Sequence, residues 1–268
     1  MSRLKKSAFI GLGALVLSTV AIQASDIVGG VQSNLSGMVI ESEGVCGPGT
    51  VEVLFGSHAL CVDVYEASPS IACPSKDIAN QLSTQENMNE DECLPESKPE
   101  VMPWRYVSLT QAQQLCARVG KRLPSNEEWY KIASGLNAES CTLTEKRSAP
   151  MLTGKAQCIA PSGVQDLVGN VWEWVDEEVV NGSFEGVELP ETGYVTLVNS
   201  NGVVVQTADV ASDEFGKDYA WTDNEGVFGM IRGGFYGSGE DAGIFTQNMA
   251  IPFDFKTAGV GFRCVKDI

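Results

Sequence analysis

Residues 166–174 read DLVGNVWEW, an aromatic and acidic stretch with Gly169 near its centre. Packing a hydrophobic core does not require this combination, so the segment is the most informative in the chain. Three more unusual blocks accompany it in a fixed order. They are SLTQAQQLCARVGKRLPSNEEWYKIASG at residues 108–135, RGGFY at residues 232–236 and GVGFRCV at residues 259–265. Four ordered blocks of this kind are improbable by chance.

Together the four blocks resemble the formylglycine-generating, or sulfatase-modifying-factor, family over residues 38–268. The resemblance implies an α+β fold of the C-type-lectin-like class, with two short helices, twisted antiparallel strands and long disulfide-braced loops. Residues 60–66, LCVDVYE, alternate as a half-buried strand should, and they resemble the opening strand of the family.

The resemblance does not extend to the catalytic cysteine pair of the family. Active oxidases of the family hold copper with two cysteines, and the matching positions here are Ser238 and Gly243. Neither residue can supply the ionisable sulfur that this chemistry needs. The arginine-rich stretch that follows in the enzymes corresponds here to the uncharged residues 243–250. We therefore expect no copper at these positions.

The amino terminus has the arrangement of a secretory signal peptide. Arg3, Lys5 and Lys6 precede an apolar run at residues 8–22, and a small residue follows at Ala24. We predict that residues 1–25 are removed; the alternative is an uncleaved membrane anchor, for which the apolar run is short. The rest of the chain is long enough for a sizeable core in one domain at residues 38–268. This predicts a secreted, periplasmic or cell-envelope protein with no membrane insertion after cleavage.

The net charge argues against nucleic acid and anionic membranes as partners. The chain has 18 basic and 35 acidic residues, and the predicted signal peptide holds three of the basic ones, so the mature protein has a net charge of −20. Phosphate backbones are bound by Lys and Arg, which neutralise them. An acidic surface instead favours solubility and divalent cations.

All eight cysteines lie in the predicted exported part, and an even number in an oxidising compartment indicates disulfides. Spacing alone leaves roughly a hundred pairings open. The family resemblance implies one of them, Cys116 with Cys264. Nearness in sequence suggests the other three, which are Cys46 with Cys61, Cys73 with Cys93 and Cys141 with Cys158.

Capping signals predict the two helices. Ser108 with Gln111, and Ser125 with Glu128, are capping boxes that each precede an apolar stripe, and Gly120 and Gly135 follow as helix-ending residues. Glu127 and Glu128 lie at a helix amino terminus, where carboxylates favour the macrodipole, so capping is their expected role.

Two insertions are expected outside the helices. Residues 67–100 are rich in Ser, Pro, Asn and Glu, which predicts a surface loop stapled by Cys73 and Cys93. The second insertion fills residues 176–228, and within it two strand-like runs flank Asn199-Ser-Asn-Gly202, a turn typical of a β-hairpin.

The donor pattern of residues 166–173 predicts a calcium site. Alternate residues of an extended segment face the same side, so Gly169, Val171 and Glu173 can direct two carbonyls and a carboxylate one way. Asp166 can reach back across the turn at Gly169. Calcium accepts hard oxygen donors of this mixture, and the family resemblance implies calcium at the same four positions. The alternative is a purely structural Glu173 that hydrogen-bonds buried backbone.

Two functions from different classes remain open. The first is a non-catalytic module that binds an unidentified peptide, protein or glycan through the surface that holds the active site in the family. Glycine-shaped loops with aromatic and polar groups can form such a surface. Its candidate ligand-binding residues are Phe235, Tyr236, Glu240, Asp241, Phe245 and Gln247. For Phe235 and Phe245 the alternative role is core packing.

The second function is an oxidase that generates formylglycine, or makes a related modification of a protein cysteine, with rearranged cysteines; free thiols would distinguish it. Iron is not expected, because the single histidine, His58, cannot form a site that needs several. A serine hydrolase built on His58 lacks a nucleophile-elbow sequence.

Overall fold

The computed structural model describes residues 45–136, 141, 146–155 and 158–268. The predicted signal peptide at residues 1–25 and the start of the predicted domain at residues 38–44 lie outside these ranges. Among the helices of the described ranges, none is long and apolar enough to cross a membrane.

Three α-helices occur in the described residues: α1 (Gln81–Met88), α2 (Leu109–Arg118) and α3 (Asn126–Ala133). Helices α2 and α3 start at the predicted capping boxes. Ser108 and Ser125 each accept the backbone N–H three residues on, and the side chains of Gln111 and Glu128 bond back to the cap backbone.

Helix α1 was not predicted, because its sequence has no apolar stripe. Its buried side chains are the polar Thr84 and Asn87. Asn87 exchanges two hydrogen bonds of 2.8 Å with the backbone of Ser75, and Thr84 Oγ1 donates to the carbonyl of Arg105 at 3.0 Å. These tertiary contacts fold part of the first insertion into a helix where the sequence predicts a loop.

The strands of the described residues form three sheets. In chain order they are β1 (Thr50–Phe55), β2 (His58–Asp63), β3 (Ala67–Pro69), β4 (Pro95–Ser97), β5 (Trp172–Val180), β6 (Ser183–Phe184), β7 (Val187–Glu188), β8 (Gly193–Val198), β9 (Val204–Ala208), β10 (Tyr219–Trp221), β11 (Val227–Arg232), β12 (Gln247–Ile251), β13 (Val260–Gly261) and β14 (Val265–Asp267).

The largest sheet has the order β7-β6-β5-β11-β12-β10-β8-β9, with β13 also paired to β5. Most neighbours are antiparallel, but β10 with β12 and β13 with β5 are parallel. A second sheet has the order β1-β2-β14, and β3 pairs with β4. The predicted α+β class is confirmed, with one helix more than expected and two parallel pairings among the antiparallel ones.

The second insertion belongs to the main sheet rather than to a separate loop. Its predicted hairpin is present as β8 and β9, and β10 joins β8 to β12. Val195, Val204 and Ala220 are fully buried in the same core cluster as Trp129. The insertion therefore contributes core, which is why it can shape the site described below.

Four disulfides tie the described residues together, and they are the four pairs proposed from the sequence: Cys46–Cys61, Cys73–Cys93, Cys116–Cys264 and Cys141–Cys158. Cys116–Cys264 joins α2 to the segment before β14. Four disulfides fit a protein of an oxidising compartment, such as the periplasm or the extracellular space.

Candidate functional site

The DLVGNVWEW segment is a turn followed by the start of β5. Gly169 and Asn170 have φ of 77° and 56°, in the left-handed region that Gly and Asn tolerate best. Asn170 then connects three parts of the chain. Its Oδ1 accepts from the N–H of Met151 at 2.7 Å, its carbonyl accepts from the N–H of Tyr236 at 2.9 Å, and its Nδ2 donates to Glu66 Oε2 at 2.5 Å. The turn is thus a structural hub.

Glu173, in β5, forms a fully buried ion pair with Arg263. Arg263 Nε and Trp129 Nε1 both donate to Glu173 Oε2 at 2.7 Å, and a second guanidinium nitrogen of Arg263 donates to Oε1. Arg263 also donates to the carbonyls of Asp63 and Gln165 at 2.9 and 2.8 Å. Such a pair is stable only because nearly every donor has an acceptor.

Two more buried carboxylates lie beside this pair. Glu66 Oε1 accepts from the N–H of Val171 at 3.1 Å, and Asp166 Oδ2 accepts from the N–H of Gly154. Burial raises the pKa of Glu66 well above its usual value, and the negative charges of Asp166 and Glu173 act in the same direction. Three carboxylates thus surround the single guanidinium of Arg263.

The structure brings the predicted calcium donors Asp166 and Glu173 into this one cluster, with Gly169 and Val171 on the turn between them. Within the described part of the chain, no group of three or more His, Cys, Asp or Glu side chains could hold a metal by side chains alone. The predicted calcium site is not a site of that kind, because two of its four donors are backbone carbonyls. Each carboxylate oxygen has more than one lone pair, so Glu173 Oε1 can accept from Arg263 and still coordinate a cation. The chemistry of the four oxygen donors suits calcium, and the site stays a prediction.

The positions matched to the catalytic cysteines hold no ionisable sulfur and little space. Ser238 Oγ accepts from the N–H of Phe235 at 3.1 Å. A Cβ at Gly243 would lie 1.9 Å from Asp218 Oδ1 and 2.2 Å from its Oδ2. Asp218, from the second insertion, is buried, and its Oδ2 accepts from the N–H of Phe245 at 2.7 Å. Its carboxylate therefore fills the side-chain space at position 243.

The tip of the β8–β9 hairpin covers the neighbouring part of the site. The carbonyl of Gly202 accepts from Gln247 Nε2 and, at 3.2 Å, from Arg232. Gly202 has φ of 75°, and a Cβ there would lie 2.1 Å from the ring of Tyr130. Both the backbone conformation and the close approach to Tyr130 therefore require glycine. The predicted turn at residues 199–202 therefore packs against β11 and β12 and covers Arg232 and Gln247. This turn is called the plug below.

Arg232, the first residue of the RGGFY block, lies fully buried beneath this plug. It donates to Asn126 Oδ1 and, at 2.8 Å, to the carbonyl of Ile244, and its guanidinium carbon stands 4.8 Å from the centre of the Trp129 ring. Among the described residues it has no carboxylate within 4.0 Å, and its Nε has no hydrogen-bond partner. Burial lowers its pKa to about 9, and the charge of Asp218 is among those that oppose this.

The six predicted ligand-binding residues separate into an open rim and a closed interior. Glu240 is exposed and pairs with Lys217, whereas Phe235, Tyr236 and Asp241 are half-buried. Phe245 is half-buried with its ring against Phe215 and Tyr130. Gln247 is fully buried and does not lie on an open surface. The plug and Asp218 close the interior half of the predicted surface.

Asp218, Arg232 and Glu66 are the chemically important residues that sequence reasoning missed. Asp218 lies in GKDYAW, which has no motif, so nothing in the sequence places its carboxylate at Gly243. Arg232 and Glu66 belong to recognised blocks, and the resemblance could have drawn attention to them. All eight cysteines lie in the described residues, and none is free.

Residues 143–268 match the family described as the sulfatase-modifying factor enzyme 1-like domain. The family resemblance of the sequence is therefore confirmed over these residues. No curated protein matches the chain.

Several solved structures are similar at low identity. The Major Tropism Determinant M1 variant is 14% identical, with a TM-score of 0.47 over 83% of this chain and 53% of that one. The Treponema denticola variable protein 1 is 13% identical, with a TM-score of 0.43 over 77% of this chain and 84% of that one. PvdO from Pseudomonas aeruginosa is 14% identical, with a TM-score of 0.43 over 78% and 81%. This chain spans about half the length of the Major Tropism Determinant structures.

Proposed function

We propose that this protein is an exported, non-catalytic member of the sulfatase-modifying-factor family that binds a ligand or partner through the surface corresponding to the family's active site. The observation that carries the proposal is the contact between Asp218 and Gly243. A carboxylate 1.9 Å from where a Cβ would stand leaves no room for a second cysteine. Ser238, at the other matched position, has a hydroxyl too weakly acidic to replace a thiolate on a soft copper ion.

The state of the cysteines supports the same proposal. A copper-dependent oxidation of a substrate thiol needs protein thiolates, and all eight cysteines are in disulfides. Export is supported by those disulfides and by the signal-like residues 1–25. The rim formed by Tyr236, Glu240 and Asp241 is the part of the surface that a partner can reach, whereas Phe235 packs against the hydrophobic core.

The catalytic half of the proposal is tested with a peptide that carries the sulfatase-type CxPxR motif. The protein is incubated with the peptide, copper, oxygen and a reductant, followed by an aldehyde-reactive probe. We expect no aldehyde above the control without protein, and a thiol titration of the unreduced protein should find no free cysteine. Aldehyde that disappears when one cysteine is replaced in a still folded protein would establish a rewired oxidase instead.

We also propose a structural calcium held by Asp166, Glu173 and the carbonyls of Gly169 and Val171. Charge supports it: three buried carboxylates, Glu66, Asp166 and Glu173, lie near one another, and the charges of Asp166 and Glu173 raise the pKa of Glu66. Oxygen donors with this density of negative charge favour a divalent cation such as calcium. Its role would be to hold the turn against β5.

A further inference from the structure

The groups around Gly243 form a receptor for a carboxylate. The N–H of Phe245 donates to Asp218 Oδ2 at 2.7 Å, and Thr246 also hydrogen-bonds this carboxylate. The missing side chain at Gly243 provides the space. Backbone N–H groups beside a glycine are a common way of binding an anion. These groups, Phe245, Thr246 and Gly243, are called the 243–246 nest below.

The positive charge of this region is not balanced at close range. Arg232 is fully buried, has no carboxylate within 4.0 Å among the described residues, and has an Nε without an acceptor. The charge of Asp218 acts on it from a greater distance and counters the lowering of its pKa. Burial raises the pKa of Asp218 to about 7, whereas hydrogen bonds from Phe245 and Thr246 and the charge of Arg232 oppose this rise. Hydrogen-bond donors and one guanidinium thus face the carboxylate and offset part of the cost of burying it.

The chain segment before Asp218 is largely exposed to solvent. Residues 209–217 lie between β9 and β10, are mostly exposed, and contain one short 3₁₀ turn, Asp213–Phe215. Their contacts with the site include the edge contact of Phe215 with Phe245 and an exposed pair between Lys217 and Glu240, and Phe215 also packs against the core. Exposed pairs of this kind contribute about 0–1 kcal/mol. The backbone of Asp218 is held, because its carbonyl accepts from the N–H of Val195 at 2.9 Å. An exchange of carboxylates therefore requires only that the side chain of Asp218 rotate out of the nest.

We propose that the 243–246 nest is a carboxylate-binding site, occupied in the resting protein by the chain's own Asp218, which a carboxylate of the binding partner replaces. The proposal rests on the proposed function, because it names the ligand chemistry of the same surface. The incoming group takes the hydrogen bonds of Phe245 and Thr246 and the attraction of Arg232, while Asp218 turns to solvent. Glu240 and Asp241 on the rim disfavour partners that carry many negative charges, so the nest selects a single carboxylate.

The first experiment is chemical rescue of Asp218→Ala by small carboxylates. This variant empties the nest, and formate or acetate should raise its Tm along a saturation curve, as expected for a ligand that binds only the folded state. Sodium chloride at the same ionic strength should not, and wild-type protein should respond less because its nest is filled. The matched control is Asp218→Ala with Gly243→Ala, whose added Cβ occupies the space of the carboxylate and should abolish the rescue.

The second experiment identifies the source of the carboxylate. Three labelled peptides are titrated by fluorescence anisotropy: one with a single Glu and an amidated end, one neutral with a free carboxyl end, and one neutral and amidated. Asp218→Ala should bind one of the first two at least about tenfold more tightly than wild type, because the internal competitor no longer reduces the binding-competent fraction. The neutral amidated peptide should not bind.

The proposal is overturned if folded Asp218→Ala shows no carboxylate-specific rise in Tm, or if neither carboxylate peptide binds more tightly than the neutral one. Should Asp218→Ala fail to fold, Asp218→Asn replaces it, since a neutral amide of the same shape is a weaker internal competitor and must also tighten peptide binding. The outcome is independent of the aldehyde assay. An oxidase would refute the non-catalytic function and leave carboxylate rescue intact.

Discussion

Two fully buried arginines, one in each of the last two sequence blocks, have opposite surroundings. Arg263 holds Glu173 with two nitrogens and donates to carbonyls of three further residues, Asp63, Val64 and Gln165. Among the described residues, the acceptors of Arg232 are all neutral, and its Nε has no acceptor. Trp129 lies between them, with its N–H on Glu173 and its ring under Arg232. The pKa of Arg263 is raised, and that of Arg232 is lowered to about 9.

The difference separates a structural site from the proposed ligand site. A buried charge that is fully paired fixes the elements it joins, because any rearrangement leaves a charge uncompensated. Arg263 in this way locks β5 to the carboxy-terminal segment. A buried charge with an incomplete set of partners favours an opposite charge nearby. Near Arg232 that opposite charge is Asp218, which belongs to the second insertion.

The largest effect should follow from breaking the complete pair. Arg263→Met leaves Glu173 buried beside Glu66 and Asp166 without its cation, and should lower the free energy of unfolding by about 3–5 kcal/mol. Arg232→Met is the matched control and should cost about 2 kcal/mol less, because no ion pair is lost. Urea denaturation of both variants gives the comparison. Equal losses would mean that the two arginines contribute equally to the stability of the fold.

An intermediate effect should appear in the dependence of stability on pH. The pKa of Asp218 is about 7 in the folded protein, above its ordinary value of 3.8, so folding favours the protonated carboxyl. Its contribution is complete below about pH 4 and is lost as the pH rises through about 7. Each unit of difference between the folded and unfolded pKa corresponds to about 1.4 kcal/mol, so the free energy of unfolding should fall by about 2–4 kcal/mol.

Asp218→Asn isolates this contribution from those of Glu66 and Glu177, whose pKa values burial also raises, that of Glu177 to about 7. Free energies of unfolding are measured for both proteins from about pH 5 to about pH 8. The wild-type protein should lose more stability over this range than Asp218→Asn. Parallel curves would show that Asp218 does not titrate there, and the nest would then hold it as a carboxylate throughout.

The smallest effect concerns calcium at the paired cluster. Excess chelator should lower the Tm of wild-type protein by a few degrees, since a ligand present at about 100 times its Kd raises the free energy of unfolding by about 2.7 kcal/mol. Glu173→Gln, which keeps the shape and removes one charge, should weaken this sensitivity, whereas Asp218→Asn should leave it unchanged. If chelator leaves the Tm unchanged and elemental analysis finds no calcium, there is no calcium site, and Glu173 binds only Arg263 and Trp129.

The sequence predicted those features whose causes are local. The capping boxes of Ser108 and Ser125 set the starts of α2 and α3 because each satisfies backbone donors within four residues. The β8–β9 hairpin follows from its own turn. Helix α1 was missed because its stability comes from Thr84 and Asn87, whose partners are set by tertiary packing.

By itself, then, the sequence predicted the family resemblance, the α+β class and two of the three helices of the described residues. These depend on short motifs and on residue identity at matched positions. Only the tertiary structure decided that Gln247 is buried, that Arg232 has no ion-pair partner in the described part of the chain and that Asp218 occupies the space at Gly243. Asp218 and Gly243 are far apart in the chain, and what brings them together is the addition of β8 and β10 to the main sheet. No local sequence pattern predicts this packing of β8 and β10.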